Sequence, residues 1–474
     1  MKNVLLAAFL CVWIWPFSTY AQTNTFSTLV VFDGTNGTYP LACLIQGSDG
    51  NFFGTTCQGG VNNQGTVFKM TPNGMLQTLF AFNGNNGVSP VAPLIQGNDG
   101  NIYGTTCSGG TNDGDGTVFR ITPNGVFTCL VSFAGTNGAN VLAGLVQGTD
   151  GNFYGTTING GINPGPPPTS SRNGTVFKIT PDGTLTTLYS FYSGFTGIYG
   201  LLPNAGLVEG KDGNFYGTTE FTTTVGYDYG TIFKINTNGV LNTLFIFNKT
   251  YGTEPIGPLV LGSDGSFYGR TISGGTNNLG TVFRFATNGT FTRLVSFNGT
   301  NGSNHNFLAP APGALVLATD GNFYGTTPSG GESNKGTIFM MTPNGTLTTV
   351  YSFIGGTNGA NPTGLIQASD GNFYGTTTLT SETVNGGGIG DGTIFRISIP
   401  LQPVFQSVAQ ANDTLTLVWK SVASQTYQLQ YTTDLTSTNW TDLGGINTAT
   451  NGTILATDII GSDTQRFYRV VLLQ

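Results

Sequence analysis

One short motif occurs seven times in this chain, and the repeat constrains the fold more than any other feature. In its commonest form the motif reads Asp-Gly-Asn-Phe-Tyr-Gly-Thr-Thr. Its copies begin at Asp49, Asp99, Asp150, Asp212, Asp264, Asp320 and Asp370. A second motif, Gly-Thr-Val/Ile-Phe-Lys/Arg, follows each copy. It begins at Gly65, Gly116, Gly174, Gly230, Gly280, Gly336 and Gly392, and in the sixth copy Met340 replaces the basic residue. The fifth copy of the first motif diverges, with Ser266 in place of Asn and Arg270 in place of Thr.

Each unit contains four strand-like runs, which we label A to D. In the first unit A covers residues 44–47, B 51–56, C 65–70 and D 75–82. Asp-Gly joins A to B and Pro-Asn-Gly joins C to D, and both are hairpin signals because these residues tolerate positive φ. Four antiparallel strands in a period near ~50 residues are typical of a β-propeller blade. The 73 glycines and 12% aromatic residues agree with short strands joined by tight turns.

The two ends of the repeat region complement each other. The seventh unit has runs A, B and C but no D, and it breaks at Pro400. Residues 25–32 form a D run with no A, B or C before it. If this run completes the seventh unit, two open sheet edges disappear. We therefore predict an all-β chain whose residues 22–399 form a seven-bladed β-propeller closed by its N-terminal strand.

These motifs in seven tandem copies resemble the GloVer-type tandem repeat of secreted bacterial proteins. The resemblance covers residues 25–398. It implies a propeller-like architecture and export from the cell, and it carries no implication for chemistry.

Two further segments flank the predicted propeller. Residues 1–21 have the Lys2 start, the apolar run and the small-x-small ending of a cleaved signal peptide, and the apolar run is short for a membrane span. We predict a protein that is secreted by a bacterium or held at its surface, without membrane insertion. In residues 400–474, Trp419, Tyr427 and Trp440 are similar to the core aromatics of fibronectin type III-like sandwiches. This segment is predicted to be a small β-sandwich-like domain that acts as a spacer.

Cleavage of the signal peptide leaves four cysteines, Cys43, Cys57, Cys107 and Cys129. Cys57 and Cys107 hold equivalent places in successive units and are not expected to meet, whereas Cys43 and Cys57 could bridge one hairpin. The alternative is that all four are small buried side chains in strands.

Catalysis and cofactor binding find little support in the sequence. His305 is the one histidine, no nucleophile elbow is present, and no His or Cys cluster matches a zinc site. A net charge of −7 argues against a nucleic-acid partner. Asp113 and Asp115 could contact Ca²⁺, but a turn explains them as simply. We expect a monomer without cofactors, calcium being the one ion that the sequence leaves open.

The antiparallel order of the strands predicts two different faces. The A–B and C–D turns share one face, the turn face, and the B–C and D–A loops share the other, the loop face. Turns are nearly invariant among the units, whereas the loops vary, and function tends to lie on variable loops. The loop-face candidates for ligand binding are Tyr192, Phe195, Tyr199, Glu220, Tyr227, Asp228, Tyr229, Tyr251, Glu254, His305 and Phe307. Their aromatic members could stack on sugars, or they could pack the long loops onto the blades.

Three functions remain open at this point. The predicted one is non-catalytic binding of a glycan or cell-surface polymer through the loop face. The second is a carbohydrate-active enzyme, a hydrolase or lyase, that uses Glu220, Asp228 and Glu254, since glycoside hydrolysis needs two carboxylates. The third is a purely structural surface protein. One position in strand A, polar in most units, could in addition line a central channel; its members are Gln46, Gln96, Gln147, Glu209, Leu261, Leu317 and Gln367.

Overall fold

A computed structural model describes residues 24–473 with several gaps. The gaps are residues 112–113, 163–171, 193–199, 223–228, 305–312, 380–390, 400–402, 404, 423–424, 435–438, 451, 460–462 and 464. Within the described residues the fold is all-β, apart from one 3₁₀ turn at Gly356–Asn358. None of the described helical structure is long and apolar enough to cross a membrane.

The described part of the repeat region forms seven four-stranded antiparallel sheets. Sheet 7 takes its outer strand from the start of the chain, β1 (Thr25–Val31). Sheet 1 contains β2 (Ile45–Gln46), β3 (Phe52–Thr56), β4 (Thr66–Met70) and β5 (Leu76–Ala81). Sheet 2 contains β6 (Ile95–Gln96), β7 (Ile102–Thr106), β8 (Thr117–Ile121) and β9 (Phe127–Ser132). Sheet 3 contains β10 (Val146–Gln147), β11 (Phe153–Thr157), β12 (Arg172–Ile179) and β13 (Leu185–Tyr192).

Sheets 4 to 7 follow the same order. A small pair, β14 (Gly200–Leu201) with β17 (Phe221–Thr222), accompanies sheet 4. Sheet 4 itself contains β15 (Val208–Glu209), β16 (Phe215–Thr219), β18 (Thr231–Ile235) and β19 (Leu241–Ile246). Sheet 5 contains β20 (Thr253–Leu261), β21 (Phe267–Ser273), β22 (Thr281–Phe285) and β23 (Phe291–Ser296). Sheet 6 contains β24 (Val316–Leu317), β25 (Phe323–Thr327), β26 (Thr337–Met341) and β27 (Leu347–Ser352). Sheet 7 adds β28 (Ala360–Gln367), β29 (Phe373–Leu379) and β30 (Thr393–Ser398) to β1.

The N-terminal strand closes the set of sheets, as the sequence predicts. β1 pairs antiparallel with β30, from Thr25 opposite Ser398 to Val31 opposite Thr393. One buried cluster then joins sheet 7 to sheet 1, through Tyr374 and Ile394 on one side and Phe52 on the other. The seven sheets therefore pack in a closed, propeller-like ring, in which the last sheet contacts the first.

Contacts between neighbouring sheets repeat a single aromatic pair. The Tyr of the first motif in one sheet packs on the Phe of the same motif in the next sheet, with ring centroids 4.0–4.5 Å apart. Six junctions have this pair. At the junction of sheets 1 and 2, Phe53 and Ile102 take the two places and are both fully buried. The repeated Phe and Tyr thus form the core between sheets, because each sheet buries both of its faces.

The innermost strands converge on small residues. A Cβ added at Gly364 would lie 3.0 Å from Cβ of Cys43 and 3.2 Å from Cα of Gly313, and one added at Gly144 would lie 3.0 Å from the carbonyl oxygen of Pro93. Neighbouring sheets touch at this level, so side chains larger than Cys or Pro have little room. We call Cys43, Pro93, Gly144, Gly206, Pro258, Gly313 and Gly364 the axis residues.

The polar position in strand A is a link between sheets. The Gln96 carboxamide oxygen accepts a hydrogen bond of 2.8 Å from the backbone N–H of Ser48 in the preceding sheet, and its NH₂ group donates to the carbonyl of Gly100 in its own turn. Gln46, Gln147, Glu209 and Gln367 accept from the preceding sheet in the same way. Leu261 and Leu317 hold this position in sheets 5 and 6, so the hydrogen-bonded link occurs at five of the seven positions. The five polar side chains therefore connect neighbouring sheets at the turn face, and the lining of a central channel stays a prediction.

The C-terminal segment forms two three-stranded sheets. The first contains β31 (Phe405–Ala411), β32 (Thr414–Lys420) and β35 (Thr453–Ile459), and the second contains β33 (Thr426–Thr432), β34 (Thr441–Thr448) and β36 (Phe467–Leu473). Trp419, Tyr427 and Leu429 are buried in the cluster that both sheets share. Trp440 lies outside that cluster and is half-buried, with the Arg469 guanidinium 4.3 Å from its ring centroid.

Candidate functional site

The loop face has a repeated backbone frame that the sequence analysis did not anticipate. A glycine N–H of the B–C loop donates to a carbonyl of the D–A loop in five sheets. The pairs are Gly60 to Gly34, Gly110 to Gly84, Gly161 to Gly135, Gly275 to Lys249 and Gly331 to Gly299. The adjacent Gly-Gly pairs at residues 59–60, 109–110, 160–161, 274–275 and 330–331 were the available signal. These backbone hydrogen bonds are therefore the same in five sheets, and the residues that differ between units lie in insertions between them.

A left-handed residue lies before strand A, or at the second residue of that strand, in most sheets. Tyr39, Ser89, Asn140, Leu202, Glu254 and Asn361 have φ between 53° and 57°. Non-glycine residues adopt this conformation at a cost of order 1–3 kcal/mol, so surrounding contacts must hold it. The N–H of Tyr39 donates to the carbonyl of Asp391, and the N–H of Asn140 donates to that of Asp115. The residue before strand A is thus fixed by the preceding sheet.

The residue that follows strand B lies beside this left-handed residue. The N–H of Glu220 donates to the Leu202 carbonyl at 3.0 Å, as Cys57 does to Tyr39 and Cys107 to Ser89. Glu254 is the left-handed residue of the next sheet. Glu254 lies near enough to Glu220 of sheet 4 for its negative charge to act on the Glu220 carboxyl group. We call these two residues the carboxylate pair.

The environment of Glu220 disfavours its charged form. Burial raises the pKa of its carboxyl group, and the negative charge of Glu254 raises it further, while a hydrogen bond with Asn204 acts in the opposite direction. The corresponding positions in sheets 1 to 3 hold the uncharged Cys57, Cys107 and Ile158. A carboxyl group with a raised pKa beside a second carboxylate is a common feature of functional sites.

Replacing Glu220 with Gln should change how stability depends on pH. Between its ordinary value of 4.5 and its raised pKa, Glu220 binds more protons in the folded protein than in the unfolded chain, so the free energy of unfolding falls as pH rises through this window. The Glu220→Gln variant should lack this fall and be more stable than the parent at pH 7. Urea unfolding from pH 4 to pH 8 measures both curves, with the exposed Glu332→Gln as control. If the free energy of unfolding depends on pH in the same way in the parent and in Glu220→Gln, the raised pKa of Glu220 does not affect stability and this prediction is wrong.

Three of the predicted aromatic residues lie in the described part of the chain, and two of them contact other apolar groups. Tyr229 packs against the buried cluster between sheets 4 and 5. Tyr251 is 39% exposed, but its ring lies 5.1 Å from that of Phe291. Tyr192 is half-buried at the end of β13, opposite Arg172. Of the other candidates, Phe195, Tyr199, Tyr227, Asp228, His305 and Phe307 lie outside the described residues.

The repeat aspartates are turn residues. Asp150 accepts from the backbone N–H and side-chain amide of Asn152 at 3.0 and 2.8 Å and from the hydroxyl of Tyr154 at 2.8 Å. Partial burial would raise the pKa of Asp150, but these hydrogen bonds outweigh it and lower the pKa to about 2. In four units the Asp also pairs with the basic residue of strand C, as Asp49 does with Lys69 at 2.8 Å and Asp264 with Arg284 at 2.7 Å. The turn and this ion pair account for the printed contacts of the repeat aspartates.

The structure also bears on the cysteines and on metal ions. Cys43, Cys57, Cys107 and Cys129 are free thiols, so the Cys43–Cys57 bridge is absent, and Cys129 is exposed rather than buried. Cys57 and Cys107 lie near enough for the charge of one to raise the pKa of the other, after the larger effect of burial. Within the described ranges no three His, Cys, Asp or Glu residues are placed to hold a metal ion; Asp113 lies outside those ranges.

Comparison with known proteins identifies a repeat family. The profile described as the Gloeobacter/Verrucomicrobia repeat matches residues 16–223 and 202–454. A search of curated proteins found no significant match. Among solved structures, puromycin hydrolase is 12% identical with a TM-score of 0.49, covering 84% of this chain and 62% of that chain. PorZ of the type-IX secretion system of Porphyromonas gingivalis is 12% identical with a TM-score of 0.45, covering 94% and 58%. A putative 6-phosphogluconolactonase from Bacteroides uniformis is 17% identical with a TM-score of 0.43, covering 73% and 98%.

Proposed function

The chain belongs to the Gloeobacter/Verrucomicrobia repeat family, and from this premise we propose that it is a secreted, non-catalytic β-propeller that binds a glycan or cell-surface polymer through its loop face. The seven sheets are its blades, residues 22–399 its propeller and residues 400–474 a small sandwich-like spacer. Residues 1–21 direct its export. The carboxylate pair is the centre of the binding surface.

The carboxylate pair is the observation that carries this proposal. Two acidic side chains from neighbouring sheets lie together, and the pKa of one is raised by burial and by the charge of the other. Such an arrangement opposes stability, and strained or electrostatically costly features concentrate at functional sites. Carboxylates accept hydrogen bonds from the hydroxyl groups of sugars, and Tyr199, Tyr227 and Phe307 fall in insertions of the same face along the sequence.

Polymer binding tests the proposal with a matched control. The double change Glu220→Gln and Glu254→Gln should weaken retention of a glycan identified on an array by about 10-fold or more, because hydrogen bonds to charged groups contribute about 1.5–3 kcal/mol. Glu209→Gln removes one acidic charge on the turn face while placing there the Gln that four other sheets use. It should bind like the parent. If Glu209→Gln weakens retention and the double variant does not, the polymer binds to the turn face and the proposal is wrong.

Glycoside hydrolysis is the second candidate, favoured by the raised pKa of Glu220. A general acid must be protonated near the working pH, and a neighbouring carboxylate is the usual partner. Cleavage of the retained polymer by the parent, lost in the double variant while the fold persists, would replace binding with catalysis as the function. Absence of retention on any polymer would favour a purely structural role.

A further inference from the structure

Three polar side chains form a row across the second sheet of the C-terminal segment. Gln430 of β33 lies opposite Arg469 of β36 on one side and opposite Asp442 of β34 on the other. The Gln430 NH₂ group donates to the Asp442 carboxylate at 2.7 Å, and the Arg469 Nε–H donates to the Gln430 carboxamide oxygen at 2.8 Å. The contact with Asp442 therefore fixes the orientation of the Gln430 amide, and the amide in turn holds the guanidinium of Arg469.

The row lies on the outer face of this sheet, away from the core of the segment. On β36, Tyr468 and Leu472 pack against the buried cluster, so Arg469 points to the opposite side, because successive side chains of a strand alternate. A Cβ added at Gly444 of β34 would meet no atom within 4 Å. No described segment covers the outer face at that point, and the half-buried Arg469 can be reached from solvent.

An aromatic ring supports the guanidinium of Arg469 from one side. Its central carbon lies 4.3 Å from the ring centroid of Trp440, and a stacked arginine loses less freedom when it binds a ligand. With Nε–H bound to Gln430, the terminal nitrogens Nη1 and Nη2 have no hydrogen-bond partner among the described residues. These two nitrogens carry four of the five guanidinium donors, and their geometry matches the two oxygens of a carboxylate.

Arg466, just before β36, gives a comparison within the same segment. Its guanidinium lies 4.3 Å from the ring centroid of Tyr431, the same distance that separates Arg469 from its aromatic partner. The Nε and Nη1 atoms of Arg466 are paired with the carboxylates of Asp463 and Asp458, each at 2.6 Å. Among the described residues no carboxylate forms an ion pair with Arg469, although burial lowers its pKa. Arg469 is therefore partly desolvated without the counter-charges that satisfy Arg466.

The neighbours of Arg469 on the outer face favour a sugar as the carrier of the missing carboxylate. Phe467 and Val471 lie on the same side of β36, each about 7 Å along the strand from Arg469, and both are half-buried. The apolar face of a sugar ring can contact such side chains while its acid group meets the guanidinium. Asp442, whose charge also acts on Arg469, lies on the far side of Gln430, so an incoming carboxylate does not have to contact it.

We propose that Arg469, stacked on Trp440, forms a carboxylate-binding site on the outer face of the second C-terminal sheet. The site takes the uronate groups of an acidic polysaccharide, with one carboxylate accepting hydrogen bonds from Nη1 and Nη2. Binding uses charge and hydrogen bonds and includes no covalent step. The inference goes beyond the proposed function, because it gives the predicted spacer a ligand of its own and does not depend on the carboxylate pair of the loop face.

Affinity electrophoresis of the purified protein in gels that contain polygalacturonate tests the site. The polymer should retard the parent, and its methyl ester, which keeps the sugar ring and loses the charge, should not. Arg469→Gln should weaken binding by about 10-fold or more, and Arg469→Lys should recover only part, since it lacks the planar fork. Lys420→Gln removes one positive charge from the other C-terminal sheet and should bind like the parent. Melting temperatures of these variants should stay within about 2 °C of the parent.

Tryptophan fluorescence reports on the site directly. Trp419 is fully buried in the core of the segment, whereas Trp440 contacts the Arg469 guanidinium. Addition of galacturonate, the monomer of the polymer, should therefore change the emission of Trp440, and galactose should not. The change should be absent in Arg469→Gln and in Trp440→Phe. A change that persists in either variant would contradict the site.

The outcomes separate this site from the loop face and identify the carrier of the carboxylate. No retardation of the parent, or retardation that survives in Arg469→Gln, would overturn the site. Retardation by poly-L-glutamate as strong as that by polygalacturonate would make an acidic protein the partner and overturn the acidic glycan. The double variant Glu220→Gln and Glu254→Gln should bind polygalacturonate like the parent. If it loses this binding while Arg469→Gln keeps it, the acidic polymer binds to the loop face and the site proposed at Arg469 is wrong.

Discussion

Removing residues 22–32 should destroy the stability of the closed ring. The deletion takes away β1 and leaves the hydrogen-bonding edge of β30 open. It also removes the half-buried Phe26, whose aromatic ring stacks on Tyr351 at 4.3 Å, and the buried Val30 and Phe32. Burial of each such side chain contributes about 1.5–3 kcal/mol. The loss is comparable with the whole stability of many domains, and an open edge promotes aggregation.

Melting curves and gel filtration measure this effect. The variant should unfold at least 10–20 °C below the parent, since 1 kcal/mol corresponds to roughly 2–4 °C in a larger domain, or it should elute as aggregates. A peptide of residues 25–32 added in excess should recover part of the loss, because it can occupy the same edge. A control deletion of residues 22–24 should behave like the parent. Unchanged melting of the longer deletion would mean that β1 does not close the ring.

Phe177→Ala should destabilise the repeat core strongly. Phe177 is fully buried and covers Gly155 of the adjacent strand, where an added Cβ would lie 2.5 Å from the tip of the Phe177 ring. Truncation of a buried Phe costs about 3–5 kcal/mol. Urea unfolding should show this loss, whereas the exposed Thr186→Ala on β13 should stay within about 0.5 kcal/mol of the parent.

Replacing Gly155, the other partner in this contact, tests the contact independently. Gly155→Ala should destabilise the protein, because the ring that its Cβ would meet is held between two sheets. When Gly155→Ala is combined with Phe177→Leu, the two losses should sum to more than the loss in the double variant, since the shorter side chain makes room for the Cβ. Strict additivity would show that the glycine is needed for another reason.

The sheets and their closure could be predicted because local residues determine them. Asp-Gly and Asn-Gly dictate their turns wherever they occur, and the Phe and Tyr of the first motif alternate with the period of a strand. The D run at residues 25–32 has no A, B or C run before it, so it was expected to pair with the last unit, and it pairs with β30. Trp419 and Tyr427 were recognisable as core residues for the same reason.

The geometry of the loop face depends on contacts that no local pattern reveals. Residues before proline favour extended backbone, yet Tyr39 and Glu254 adopt a left-handed conformation in front of Pro40 and Pro255. Tyr39 is held there by a carbonyl of the preceding sheet. The same dependence on neighbours explains why the sequence could suggest Glu220, Asp228 and Glu254 as one set of carboxylates but not the burial of Glu220 or the effect of Glu254 on its pKa. It also explains why Arg270, which is buried, was visible in the sequence only as a divergence of the fifth copy. The roles of Tyr199, Tyr227, Asp228, His305 and Phe307 stay predictions.

The pairing of β1 with β30 has a consequence for how the protein is made. A ribosome that adds 5–20 residues per second needs on the order of 20–70 seconds to extend the chain from β1 to β30. Throughout that time β1 exists without its partner, while the earlier sheets can already assemble. Its apolar residues must therefore be kept from pairing with wrong strands until β30 has been made, and the ring can close only after that point.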